Sequence, residues 1–481
     1  MHMRSNGHMY GMGLIFLEGF KTVKLADKSD VIIAVSLKEI RACFKGKHTF
    51  DLTLHAPEHT KSVFNVFLGS IGQFEHNDVT QHSKKSPMLF IHIIIPDCGN
   101  ICNAKIILRQ CLQNAIICKT KVKRKERFFM IKLIKSGVYK GKEWVVYEVT
   151  NDLGMSMTVT NIGCCIMTLN VPDKNGKIDD IVLGYDTVEE YLDKPNYFGA
   201  VIGRVGNRIK DGHFMIDGRE YDVTLTAPNV SLHGGKEGFD VRAFTHCIGK
   251  YNGYEALIFN YTSVDGEEGY PGDLSLKVVY CLTDDGELII NYTATTTDAT
   301  PINITNHSFF NLAGHTSGEC TDNIMWINAD YFTDTDEDQN TNGAILPVWN
   351  TPLDFNEPTV IGERIDDETC QAIKLGKGYD HNYVLKKEIP GSIELCAQLS
   401  DPKSGRVMQV YTDQLGVQFY SGNFLTGAPG KGGAKYVKRS AMCLETQDFP
   451  NAVNYPHFPN GILRPGEVYD RTTIYRFTTE E

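Results

Sequence analysis

Four short stretches of this chain collect the residue types that move protons. In "TPINITNHSFFNLAGH", residues 300–315, His307 stands between two amides and two phenylalanines in a segment otherwise patterned like a strand. An imidazole held by polar neighbours beside aromatic rings is either a proton donor poised near neutral pH or a structural histidine that bonds a neighbour and does no more. In "AMCLETQDFPNAVNYPHFP", Glu445 follows an apolar strand, Ala441 to Leu444, and precedes a polar, proline-punctuated loop. A carboxylate at the end of a buried strand needs a partner or a task. "SLHGGKEGFD" sets His233 before two glycines that leave its imidazole uncrowded. "GAVIGRVGNRIKDGHF" offers Asn207 and Arg208 as directional donors, or a surface turn with a salt-bridged arginine. A carboxylate with imidazoles is the chemistry of general acid/base catalysis. Phe309 and Phe310 read as core, whereas Asn306 and Asn311, flanking an apolar run, are not explained by packing alone.

The elements that must position these groups are strands. "SLKVVYCLTDDGELIINYTATTT" alternates on both sides of Asp284-Asp285-Gly286-Glu287, which predicts a hairpin, and "GHFMIDGREYDVTL" predicts another around Asp217-Gly218. Further strands are expected in "EWVVYEVTN", "GMSMTVTNIGCCIMTLNV", "ALIFNYTSV", "ELCAQLSD", "RVMQVYTD" and "VQFYSGNF", and "TVEEYLD" is the best helical stretch. Many short strands joined by Gly, Asp, Asn and Pro turns predict an all-β fold, a large antiparallel β-sandwich. No glycine-rich phosphate loop precedes a helix, which argues against a nucleotide-binding domain.

The 481 residues carry a net charge of -11, unevenly spread. Residues 1–129 hold 19 Lys+Arg against 10 Asp+Glu, and the remainder 29 against 49, so two compositions are joined. An acidic main body excludes nucleic acid as its partner, because phosphate neutralisation needs a basic face. Residues 1–129 are read as a basic, cysteine-containing extension, disordered or a gene-model artefact with translation starting at Met130; residues 130–481 form the main domain. The gaps between Cys98, Cys102, Cys111 and Cys118 do not repeat the paired spacing of zinc sites. Thirteen cysteines are too sparse for a disulfide scaffold and point to a reduced, cytoplasmic protein. The N-terminus has too weak an apolar core for a secretory signal, and "MLFIHIII", stopped by Pro96, is too short to span a membrane.

Together the clusters resemble the galactose mutarotase, or aldose 1-epimerase, family. Residues 136–479, roughly three quarters of the chain, carry "FGAVIGRVGNRI", "SLHGGKEGFD", "DGEEGYPGDL", "TPINITNHSFFNLAG", "GYDHNYVL", "GVQFYSGNFL", "CLETQDFPNAVNYP" and "LRPGEVYDRTT" in that family's order. The resemblance implies a mutarotase-type β-sandwich, no cofactor or metal, an aldohexose as substrate and partner, and a monomer. It implies Glu445 as general base, His307 as general acid and His233 as a second imidazole near the ring oxygen. Asn207, Arg208, Asp380 and Gln418 would hold the sugar hydroxyls. The chain departs from the family in "DTDEDQNTNGAILPV", where Asn340-Thr341-Asn342-Gly343 replaces an Ile-Pro-Thr-Gly stretch; this is expected to reshape the loop without touching any of those residues.

Anomer exchange opens a cyclic hemiacetal, turns the C1–C2 bond and closes the ring on the other carbonyl face. A proton must leave the C1 hydroxyl while another reaches the ring oxygen, so a base and an acid are expected on opposite sides of C1, both charged through mutual attraction. A hexose 6-phosphate 1-epimerase would need further cations at the sugar's far end. A glycosidase would pair two carboxyl groups about 5–9.5 Å apart. A non-catalytic sugar-binding sandwich would have no use for both His307 and Glu445.

Overall fold

The computed structural model describes residues 131–194 and 196–480 in full and, before them, the backbone of three strands, Met12–Ile15, Asp30–Ser36 and Met88–Ile94. The chain divides into two units, residues 1–127 and 128–481. In the first, Asp30–Ser36 pairs in parallel with Met12–Ile15 and antiparallel with Met88–Ile94. Cys98, Cys102, Cys111, Cys118 and the basic run before Met130 lie outside the described residues.

The second unit is built from antiparallel sheets. The largest has nine strands, in the order Thr245–Tyr251, Tyr254–Ser263, Leu274–Leu282, Glu287–Thr296, Tyr469–Thr479, Arg406–Thr412, Glu394–Ser400, Ile324–Ile327 and Thr359–Val360. Both predicted hairpins form. Leu282 pairs with Leu288 across a turn closed by Gly286 at φ +78°, and Ile216 pairs with Arg219 across Asp217 and Gly218, both left-handed. Such positive φ values match the twist of a two-residue turn to that of its strands. The predicted helix is Val188–Asp193, and Thr187 N–H at its start donates to Glu190 Oε2 (3.3 Å). "GMSMTVTNIGCCIMTLNV" is two strands rather than one, Ser156–Thr160 and Ile166–Pro172, because Gly163 and Cys164 turn the chain with positive φ.

A five-stranded sheet positions the site. Its order is Thr341–Pro347, Ala329–Thr335, Asp380–Leu385, Gly416–Tyr420 and Cys443–Gln447. Successive side chains of a strand point to opposite faces. Tyr383, Val417, Phe419 and Leu444 therefore enter the same buried cluster as Leu276, Val278, Ile290 and Tyr292 of the nine-stranded sheet. The apolar faces of the two sheets share one core, which makes the unit a β-sandwich, as the sequence predicts.

Of "TPINITNHSFFNLAGH", only Thr300–Pro301 and Thr305–His307 are strand, His307 pairing with Ala200. Its two asparagines are scaffold. Asn306 Nδ2 donates to Gly199 O (3.0 Å), and Asn311 Nδ2 donates to Ser440 O (2.8 Å), tying this segment to two other chain segments.

Candidate active site

The other face of the five-stranded sheet is polar. Gln418 is the cross-strand partner of both Glu445 and Asn382, and Asp380 is the partner of Tyr420. Glu445 lies in the middle of the Cys443–Gln447 strand rather than just beyond a strand end, so its carboxyl is buried by neighbours on both sides. Gln418 Nε2 donates to Asp380 Oδ1 (2.7 Å), and Asp380 Oδ2 lies 3.9 Å from Arg208 Nη2.

Two loops complete the wall. His233 takes a left-handed φ of +53° after the strand Val230–Leu232 and exchanges hydrogen bonds with Asn207: His233 N–H donates to Asn207 O (2.9 Å), and Asn207 N–H donates to His233 Nδ1 (3.1 Å). The glycine after it lets the backbones approach. A Cβ on Gly234 would lie 1.9 Å from Gly203 O. His307 Nε2 lies 3.4 Å from Glu445 Oε1, and the His233 and His307 rings meet edge to face at 5.2 Å.

All seven residues expected from the sequence, Asn207, Arg208, His233, His307, Asp380, Gln418 and Glu445, line one cavity of about 260 Å³. His307 and Glu445, the acid and base expected from the sequence, are neighbours on one wall of the cavity rather than on opposite sides of it. The expected anomer exchange is compatible with that arrangement, because the C1 hydroxyl and the ring oxygen are bonded to the same carbon. Tyr197, Phe309, Tyr420, Phe424 and Leu425 also line it. Tyr197 puts its ring against both imidazoles, 4.7 Å from His233 and 5.8 Å from His307. Sequence reasoning missed these; for Tyr420 the signal was its spacing of two from Gln418, which puts both on one face. Phe309, read as core, packs against Phe198 and also stacks on His307 at 4.8 Å.

Burial, not attraction, dominates the protonation of the pair. Desolvation pushes His307 down to about 4 and pushes Glu445 well above the ordinary carboxylate value, with Asp380 adding to the rise and Arg208 opposing it. His233 is also pushed down, by burial and then by His307 and Arg208. The expectation that both partners stand charged is therefore corrected: removing two ionised groups from water costs more than their mutual attraction returns. Glu445 Oε2 and His307 Nδ1 make no hydrogen bond within the protein.

His233, His307 and Glu445 offer ligand atoms within 4.8 Å of one another, close enough to be tested as a metal centre. The donor set does not suit one. A ligating imidazole usually donates its second N–H to an acceptor, whereas His233 Nδ1 accepts from a backbone N–H. The neutral ring then carries its proton on Nε2, a donor suited to an oxygen atom rather than a lone pair for a cation.

The profile of the aldose 1-epimerase family matches residues 145–476. The chain belongs to the aldose 1-epimerase family. It is 46% identical over 335 residues to galactose mutarotase of Homo sapiens, covering 69% of this chain and 93% of that one. It is 33% identical over 343 residues to aldose 1-epimerase of Escherichia coli K12, covering 71% and 97%. Among solved structures, the aldose epimerase homologue from C. elegans superposes with a TM-score of 0.64 at 30% identity, over 72% of this chain and all of that one. Galactose 1-epimerase from Lactobacillus acidophilus shares the fold, with a TM-score of 0.64 at 23% identity over 73% of this chain and all of that one. The family profile begins beyond the basic N-terminal stretch and spans every residue of the cavity wall.

The replaced stretch Asn340–Gly343 does not line the cavity, but Gln339, immediately before it, accepts a hydrogen bond from Arg208 Nη2 (3.1 Å).

Proposed function

We infer that this protein is an aldose 1-epimerase that interconverts the α and β anomers of aldohexoses such as galactose and glucose, with Glu445 as general base and His307 as general acid. The observation that carries the assignment is the 3.4 Å approach of His307 Nε2 to Glu445 Oε1 in a cavity that Asn207, Arg208, His233, Asp380 and Gln418 also line. Burial favours the neutral forms, with the proton on Glu445 rather than on His307, and moving it from carboxyl to imidazole creates the base and the acid without exchange with solvent. Glu445 takes the C1 hydroxyl proton as the C1–O5 bond breaks, and His307 delivers one to the ring oxygen. After rotation about C1–C2 the roles reverse and the enzyme is regenerated.

His233, as an Nε2–H donor, steadies the oxygen on which charge develops. Arg208, Asp380, Asn207 and Gln418 hold the remaining hydroxyls, which positions the ring while leaving the aldehyde end free to turn. Arg208 is the one cation among the described cavity-lining residues, which favours an unphosphorylated sugar over a hexose 6-phosphate. The eight free cysteines among the described residues support a reducing, cytoplasmic location. Polarimetry on freshly dissolved α-galactose and α-glucose tests the reading. Mutarotation well above the buffer rate is expected, and sugar binding without acceleration would overturn it.

A further inference from the structure

We propose that Gln339 is a positioning residue that holds the Arg208 guanidinium off the Asp380 carboxylate, keeping both groups open to one sugar hydroxyl. The inference rests on the reading of Arg208 and Asp380 as sugar-binding groups. Its starting point is a distance. Arg208 Nη2 and Asp380 Oδ2 are 3.9 Å apart, beyond a hydrogen bond, although a half-buried arginine and carboxylate this close normally make a direct, often bidentate contact. What holds them apart is visible on both sides. Gln418 Nε2 occupies Asp380 Oδ1 at 2.7 Å, and Gln339 Oε1 takes the same Arg208 nitrogen at 3.1 Å. A hydroxyl seated against both atoms, about 2.8 Å from each, can accept from the nitrogen and donate to the carboxylate, so the separation leaves both groups free to serve one ligand oxygen.

Gln339 is built to bear that load. Its side-chain amide is used at both ends, since Nε2 donates to Leu375 O (2.9 Å) in the helix Gln371–Gly376, which leads into the strand that carries Asp380. Its backbone is left-handed, φ +61°, inside a tight turn: Gln339 N–H donates to Asp336 O (2.9 Å), and Asp336 Oδ1 accepts from the N–H groups of Asp338 and Asn340 (3.1 and 3.0 Å). The same turn grips the arginine's strand a second time, because Asp336 Oδ2 pairs with Lys210 Nζ at 2.8 Å, two residues along from Arg208. One five-residue turn thus fixes the Arg208 strand against the Asp380 helix and strand.

The test is a kinetic split. Gln339→Leu removes the acceptor and lets Arg208 collapse onto Asp380. KM for galactose and glucose is expected to rise roughly three- to tenfold while kcat stays within about twofold. In an Arg208→Gln background the same change is expected to add almost nothing, because the group it positions is gone. Gln339→Met, which keeps the side-chain length and drops both hydrogen bonds, gives the same reading if Gln339→Leu is recovered unfolded. Unchanged KM, a fall in kcat alone, or full additivity with Arg208→Gln would overturn the proposal. Wild-type turnover in the same assay separates it from the reading beneath: an inactive wild type defeats the epimerase assignment, whereas an active wild type matched by Gln339→Leu defeats this inference alone.

Discussion

Gln418 and Glu445 are direct cross-strand partners on the cavity face of a sheet whose opposite face, through the partners Phe419 and Leu444, builds the sandwich core. Cavity-lining and packing side chains alternate residue by residue along the same strands. The backbone that fixes the core therefore fixes the carboxylate too, which is how a buried charge-bearing group is held within reach of His307.

Glu445→Gln preserves shape and strand register but removes the proposed base. Turnover is expected to fall about 10²–10⁴-fold with KM changed little, and His307→Asn should do the same by removing the acid. Polarimetry on α-galactose measures both. Full activity in Glu445→Gln would exclude the assignment.

The pH profile follows from one shared proton. Because burial pushes His307 down to about 4 and Glu445 up, the pair gains a second proton only as pH falls towards about 4 and loses its last one above the ordinary carboxylate range. The acid limb of kcat/KM is expected near 4, and an acid limb above pH 6 would contradict this. Asp380 raises Glu445, so Asp380→Asn is expected to move the basic limb to lower pH as well as to raise KM for the sugar.

Stability should carry the same signature. Burial pushes His307 from its ordinary 6.5 down to about 4, so the unfolded chain takes up this proton first as pH falls. The histidine's own contribution is full above pH 6.5 and lost between about 6.5 and 4. Urea unfolding from pH 7 to 4.5 should show a shallower decline in His307→Asn than in wild type.

Gly234 is a sensitive point away from the proton chemistry. At φ +91° with a Cβ destined for Gly203 O, Gly234→Ala must displace the His233 loop. Destabilisation on the order of 1–3 kcal/mol is expected. Thermal melting measures it, and a melting temperature equal to wild type would show that the loop yields without strain.

The hairpins were legible because their turn chemistry is local: Asp217-Gly218 and Asp285-Gly286 state the reversal wherever the strands end up. The Cys443–Gln447 strand was cut short in the sequence because Glu445 and Gln447 look like loop residues until a neighbour at Gly416–Tyr420 supplies the pairing. The Asp380 strand, polar at Asp380 and Asn382, was hidden for the same reason. His307, Glu445 and His233 were legible as chemistry but not as neighbours; only the fold brings them together. Gln339 was invisible, since its contact with Arg208 joins residues 131 apart in sequence. The protonation state was misjudged because depth from solvent is a property of the packed molecule, whereas attraction between opposite charges can be imagined from the letters alone.

A site that stores its working proton between two buried groups begins and ends each cycle with an unaltered proton inventory. Uncharged sugar should then enter with no net proton release, so binding heats ought to match in buffers of different ionisation enthalpy. The same closure makes forward and backward passages equivalent for the enzyme, which speeds arrival at the solution's own anomer ratio and leaves that ratio where it was.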